Sequence, residues 1–151
     1  MAWWDKLGPG VRVDATARVL ANETFEFAAV LGGDVLITQL IGRFTVITGG
    51  LSNMHLQFTP DVGTATVTTL CALADINGCD VGDTVTLTGV PGDALFPAGA
   101  APAGAVPGMT VPLILPAGGI ESVVSAASGA AAILWSLWYI PLTDGAYVTG
   151  V

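Results

Sequence analysis

The chain has 151 residues, of which 52% are hydrophobic and only 11% charged, and its formal net charge is −8. All four basic residues precede position 44, whereas seven of the twelve acidic residues follow it. This distribution argues against nucleic-acid binding, because phosphate contacts need clustered Lys and Arg. With one histidine in the chain, few catalytic sites can be built.

The mean hydropathy of +0.72 predicts that apolar surface is buried either in a membrane or against other chains. The uncharged stretch 122–143 is long enough to span a bilayer. Serines, Gly129 and Pro141 interrupt it, however, and its second half alternates, so we predict strand rather than membrane span. The first residues lack the basic start and apolar core of a signal peptide, so we expect the chain to fold where it is made.

Alternation of apolar and polar residues, which is typical of half-buried strands, recurs from residue 11 onward. The predicted strands are 11–19, 24–27, 35–47 with Gly42 as a bulge or bend, 54–58, 67–73, 85–90, 120–125, 131–141 and 146–148. The Pro/Gly/Ala-rich stretch 97–119 is either an extended loop or arm, or holds a short edge strand around 110–115. Nine or ten short strands and no convincing helix predict one all-β domain over 11–151, a β-sandwich with jelly-roll topology favoured.

Residues 1–10 are predicted to form an extended N-terminal arm before this domain. Trp3 and Trp4 are followed by the hinge Gly8-Pro9-Gly10. Such a pair suits an arm that docks on a neighbouring molecule, because Trp is enriched at interface hot spots. An equally good interpretation is that both tryptophans cover the domain's own core.

In the C-terminal strand, Ile133, Trp135, Leu137 and Tyr139 point one way, and Leu134, Ser136, Trp138 and Ile140 point the other. Both sets are mostly apolar. We therefore expect a central strand that is covered on both sides, with Trp138 buried.

The two cysteines, Cys71 and Cys79, flank Asn77-Gly78, a strong hairpin-turn signal. Two paired arms of such a hairpin would bring the thiols close enough for a disulfide. Without export the thiols begin reduced, so free thiols are the expected state, with a bridge as the alternative.

No metal or cofactor site is predicted. His55 has no second histidine to share a metal with, and is interpreted as a surface strand residue. The segment Asp75-x-Asn77-Gly78-x-Asp80-x-x-Asp83 departs from the EF-hand spacing, and Asp, Asn and Gly are ordinary turn residues. No catalytic motif appears either, so we expect a non-enzymatic protein.

Three segments of the chain, 33–45, 71–95 and 135–146, resemble a family of small structural proteins of tailed-bacteriophage virions. They include Gly33-Asp34-Val35-Leu36, Gly89-Val90-Pro91-Gly92-Asp93 and Trp135-Ser136-Leu137-Trp138-Tyr139-Ile140-Pro141. The resemblance implies a virion component of the capsid decoration (cement) kind and carries over no catalytic residues. Residues 97–119 and the Trp3-Trp4 arm lie outside the resemblance.

Together these features predict a homo-oligomer, with a trimer favoured, that binds the major capsid protein at the capsid surface after synthesis in the host cytoplasm. Neither nucleic acid nor membrane is an expected partner. The candidate interface residues are Trp3, Trp4, Arg12, Arg18 and Arg43, because the basic groups of residues 1–43 suit an acidic partner surface. The alternatives are a tail or fibre module that binds glycans, and an enzyme that cleaves cell-wall sugars with paired carboxylates.

Overall fold

A computed structural model describes residues 10–47, 52–64, 66–96, 106, 108–125 and 131–151. These residues form two antiparallel sheets packed together and no helix, which confirms the all-β sandwich predicted from the sequence. None of the described segments is a helix that could cross a membrane.

The described residues contain twelve strands. They are β1 (Val11–Asp14), β2 (Arg18–Val19), β3 (Thr24–Leu31), β4 (Val35–Val46), β5 (Asn53–Pro60), β6 (Thr68–Thr69), β7 (Ala74–Asp75), β8 (Thr84–Thr86), β9 (Leu113–Leu115), β10 (Gly118–Ser125), β11 (Ala132–Pro141) and β12 (Tyr147–Gly150).

Sheet A has the order β1-β11-β4-β8, with β2 also pairing with β11 and β9 with β4. Sheet B has the order β12-β3-β10-β5-β6, with β7 also pairing with β5. Consecutive strands therefore often belong to different sheets, and most hydrogen-bonded neighbours are far apart in sequence. The C-terminal residue lies beside the segment between β1 and β2, where the Thr16 N–H donates to the Val151 carbonyl at 2.9 Å.

The core lies between the sheets, and its centre is an aromatic stack. Trp135 of β11 stacks on Phe27 of β3, with ring centroids 5.0 Å apart and an interplanar angle of 19°. Gly42 of β4 lies beneath this stack, and a Cβ atom there would come within 2.7 Å of the Trp135 ring. Gly42 thus makes room for the indole and is not the predicted bulge: the β4–β11 register shifts at Thr45 and Thr38 instead.

Several predicted strands have different bounds in the structure. The strand predicted over 11–19 is split at Ala15–Ala17, because the Thr16 N–H turns away to the C-terminal residue. The strands predicted over 67–73 and 85–90 are reduced to β6 and β8. The edge-strand alternative for 97–119 is present as β9, whose partner is β4.

Strand β11 is central, as predicted, but it is not covered on both sides. Its inward side chains are buried, for example Trp135 at 1% exposure, whereas Trp138 on the other side is only partly buried and Ile140 is 39% exposed. The described chain supplies only two sheets, and on the outer side of sheet A the Met109 N–H donates to Gln39 Oε1 at 2.9 Å, so this side is covered only in part. The expectation that Trp138 is buried was therefore wrong.

Candidate functional site

The outer side of sheet A combines apolar and basic side chains. Its central strands place Leu134, Ser136 and Trp138 of β11 beside Ile41 and Arg43 of β4, because residues paired across strands point to the same side. Arg12 of β1 is paired with Trp138. These residues line one shallow depression, which we call the basic face: Arg12, Ile41, Arg43, Leu134, Ser136 and Trp138.

Arg12 is held in place on the basic face by two neighbours. Its Nη2 lies 2.9 Å from Asp14 Oδ1, and its guanidinium carbon lies 5.4 Å from the centre of the Trp138 ring, a cation–π distance. Asp14 also accepts a hydrogen bond from the Ser136 hydroxyl at 2.5 Å. This bond first, and Arg12 second, lower the pKa of Asp14. The face therefore carries an ordered cation beside a half-buried aromatic ring.

Arg43 differs from Arg12 because no carboxylate neutralises it within the described part of the chain. The ion pairs there are Arg12–Asp14 and Arg18–Glu23. Arg43 is exposed beside the half-buried Leu134, its register partner. Among the described residues, its charge is thus left without a carboxylate partner.

Arg18, the third candidate arginine, lies elsewhere. It is in β2 at the end of the sandwich, where it lines a separate pocket of about 290 Å³ with Phe25 and Val151. Its Nη2 lies 2.8 Å from Glu23 Oε1, and its guanidinium lies 4.6 Å from the Phe25 ring centre. The structure therefore groups Arg12 with Arg43 and separates Arg18 from both.

The outer side of sheet B is polar and acidic. Glu26 of β3 and Glu121 of β10 are direct cross-strand partners. Glu121 Oε2 accepts hydrogen bonds from Gln57 Nε2 at 2.6 Å and from the Thr59 hydroxyl at 3.0 Å. Burial first, and then the negative charges of Glu121 and Asp61, raise the pKa of Glu26. We call this surface the acidic face; its residues are Glu26, His55, Gln57, Thr59 and Glu121.

The two cysteines are buried, and the possible disulfide between them is not formed. The predicted hairpin does not pair its own arms: β7 before the Asn77-Gly78 turn pairs with β5 in sheet B, while β8 after it pairs with β4 in sheet A. Burial raises the pKa of both Cys71 and Cys79 to about 11, so both are protonated at neutral pH.

The carboxylates near residues 75–83 hold their own turn. Asp75 Oδ1 accepts a hydrogen bond from the Asn77 N–H at 2.8 Å, and Asp83 Oδ2 accepts one from the Asp80 N–H at 2.7 Å. Among the described residues, no group of three or more His, Cys, Asp or Glu side chains is placed to hold a metal ion. This geometry agrees with the turn interpretation of the motif.

Two candidate interface residues, Trp3 and Trp4, lie outside the described residues, as do residues 97–105 and 107 of the Pro/Gly/Ala-rich stretch 97–119. The pairing of Glu26 with Glu121 was missed from the sequence, because strands 95 positions apart give no local signal of their register. The exposure of Trp138 was missed because an apolar strand does not state how many layers cover it.

Comparison of the chain with protein families, with curated proteins and with solved structures finds no match in any of the three. The fold and the two contrasting outer faces are therefore the structural basis for the functional proposal below.

Proposed function

We propose that this chain is a non-enzymatic structural protein of a tailed-bacteriophage virion, and that it acts as a capsid decoration (cement) protein. It would lie on the capsid surface, bind the major capsid protein and stabilise the head shell, with neighbouring copies in contact as a homo-oligomer, a trimer by preference. The resemblance of segments 33–45, 71–95 and 135–146 to phage virion proteins led to this proposal.

The observation that carries it is the basic face. Trp138, Leu134 and Ile41 leave partly exposed apolar surface on the outer side of sheet A, and Arg12 and Arg43 flank this surface. Exposed aromatic and Arg side chains around an apolar centre are typical of protein–protein interfaces. Apolar area buried there contributes about 25 cal/mol per Å² before the costs of association, and repeated copies on a lattice add their affinities by avidity.

The strand order supports the finer jelly-roll assignment. With β2, β7, β9 and β12 set aside, sheet A keeps β1-β11-β4-β8 and sheet B keeps β3-β10-β5-β6. Eight antiparallel strands in two four-stranded sheets, with the chain crossing repeatedly between them, are the arrangement of a jelly roll. This fold is frequent among viral capsid domains.

The proposal is tested on particles of the phage that encodes the chain. We expect mass spectrometry to find the chain in purified particles, and imaging to place its density on the outside of the head. Particles made without the chain are expected to lose their DNA at lower temperature. Absence of the chain from purified particles overturns the proposal, and density confined to the tail moves the protein to the alternative below.

The alternative function is a glycan- or receptor-binding module of a tail or fibre. Its specific support is the partly exposed ring of Trp138, because aromatic faces stack on sugar rings. A glycan array distinguishes the two: binding that Trp138→Ala abolishes favours the glycan module, whereas an array without signal favours the decoration protein.

The enzymatic alternative is less well supported, because Asp75 and Asp83 bond to backbone N–H groups of their own loop. Zymography on bacterial cell walls tests it, with Asp75→Asn, Asp80→Asn and Asp83→Asn as controls for any clearing by the wild type. An inert wild type rules this alternative out.

A further inference from the structure

We propose that the basic face is the docking surface, and that its occupant is an acidic surface of a different virion protein, with Arg43, Arg12 and Trp138 as the anchoring residues. This inference rests on the proposed function and adds to it the side of the molecule that faces the shell and the chemistry of the partner.

The positive charge of the chain is carried by four side chains. No Lys or Arg follows Arg43 in the sequence, so an acidic partner can be met by only four side chains. Of the three that the structure describes, Arg18 lines a separate pocket with Phe25 and Val151, apart from the other two. Arg12 and Arg43 remain, and both line the basic face.

Arg43 and Arg12 differ in how they are prepared for a partner. Arg43 is exposed and meets no carboxylate among the described residues, so an incoming carboxylate gains a new ion pair without breaking one. Arg12 is already ordered over Trp138 at 5.4 Å. Part of the entropy cost of fixing its side chain is therefore met before binding.

Apolar side chains lie next to the two arginines on the basic face. Ile41, Leu134 and Trp138 are half-buried in the free chain, and a partner that covers them removes water from around the arginines. Ion pairs gain strength as solvent is excluded. The same composition makes the face a poor solvent-exposed surface, which gives covering it a free-energy advantage.

A second copy of this chain is not the expected occupant of the basic face. Two basic faces in a twofold contact would bring the Arg43 side chains of both copies into one interface, where the nearby carboxylate, Asp14, is already bonded to Arg12 and Ser136. A basic face against the acidic face of the next copy would use opposite sides of one sandwich, and such a head-to-tail contact gives an open stack rather than a closed ring. Contacts between copies in a ring are therefore expected at other surfaces.

The negative charge of the acidic face favours one orientation of the molecule on an acidic shell. Glu26 and Glu121 are paired on the acidic face, where Asp61 adds a third negative charge. This side repels an acidic partner. Approach to an acidic shell is thus favoured with the basic face inward and the acidic face toward solvent.

The test uses particles made without this chain, to which the purified full-length protein is added back at low and at high salt. Arg43→Gln and Arg18→Gln form a matched pair, because each makes the net charge more negative by one. We expect Arg43→Gln to weaken binding about threefold to tenfold at low salt, and Trp138→Ala about thirtyfold. Arg18→Gln should bind within about twofold of the wild type, since its effect is only that of net charge.

The outcomes separate this inference from the proposed function. If the wild type does not bind the particles, the proposed function fails, and the docking surface with it. If the wild type binds but Arg43→Gln and Arg18→Gln weaken binding equally, or neither does, the docking surface is overturned while the proposed function stands. Circular dichroism and thermal unfolding of each variant separate loss of binding from loss of fold.

A photo-crosslinking amino acid identifies the occupant directly. Placed at Leu134 on the basic face, it is expected to capture a peptide rich in Asp and Glu from another virion protein. Placed at His55 on the acidic face, as the matched control, it should capture no shell peptide. Capture of a second copy of this chain from position 134 overturns the assignment of the occupant.

Discussion

The outer faces of the two sheets lie on opposite sides of the sandwich and differ in the charges that they carry. On the basic face, Asp14 lies beside Arg12 and accepts a hydrogen bond from Ser136, so its charge is stabilised. On the acidic face, burial first and then the opposing charge of Glu121 destabilise the charge of Glu26. The sandwich thus places an ion pair on one outer face and a pair of like charges on the other.

This difference bears on function because both faces are built on the same core. The arginines are confined to a part of the sequence that supplies edge strand β1, strand β2 and central strand β4 of sheet A. Most of sheet B comes from regions without basic residues. A bias along the sequence therefore becomes a bias between two surfaces.

The largest effect is expected from deleting the Trp135 indole at the centre of the core between the two sheets. Trp135→Ala deletes the indole that stacks on Phe27, and should lower the free energy of unfolding by about 3–5 kcal/mol. Trp138→Ala, three positions away on the basic face, should cost only about 1 kcal/mol, because its side chain remains partly in water. Urea denaturation followed by circular dichroism measures both. Equal costs would mean that the basic face is covered as the core is.

A smaller loss is expected when the room for this stack is filled. Gly42→Ala adds a Cβ within 2.7 Å of Trp135 and Ile133, and such overpacking costs about 1–3 kcal/mol. Gly92→Ala is the matched control, because a Cβ at that position meets nothing within 4 Å. The same denaturation measurement applies. A neutral Gly42→Ala variant would show that β4 and β11 separate easily to admit the extra Cβ.

The acidic face should respond to neutralisation of Glu26. Since a raised pKa means that the folded state holds the proton more tightly, the free energy of unfolding falls as pH rises from the ordinary Glu value of 4.5. Glu26→Gln should therefore stabilise the protein by about 0.2–1 kcal/mol at neutral pH, by removing a like-charge cross-strand pair. The gain should vanish below pH 4.5. Thermal unfolding across this range checks the sign, and a destabilised variant at neutral pH contradicts it.

The basic face should show the opposite and smallest response. The lowered pKa of Asp14 contributes stability that is present above its ordinary value of 3.8 and is lost as pH falls further. Asp14→Asn is expected to cost at most about 1 kcal/mol at neutral pH, because the ion pair is exposed to solvent. The cost should disappear in acid. Parallel pH profiles of Asp14→Asn and Glu26→Gln that bend in the same direction would contradict the contrast between the faces.

The fold class and most strands could be predicted from local pattern, because alternation reports a half-buried strand without reference to its partners. Strand β4 matched its predicted bounds to within one residue, and β11 was recognised as central. The split of 11–19 into β1 and β2 was not predicted, since it depends on a hydrogen bond from Thr16 to the far end of the chain. Likewise, the hairpin expected around Asn77-Gly78 was wrong because each arm has a better partner in a different sheet.

The candidate site was predicted only as a set of residue types. The sequence showed that positive charge is confined to its first third and that β11 has two apolar sides, and these properties depend on composition and period alone. Only the tertiary structure decided that Arg12 and Arg43 share a face with Trp138 while Arg18 lies apart, and that Glu26 meets Glu121. The physical reason is that cross-strand register between distant segments sets which side chains are neighbours, and packing of the whole sandwich sets that register.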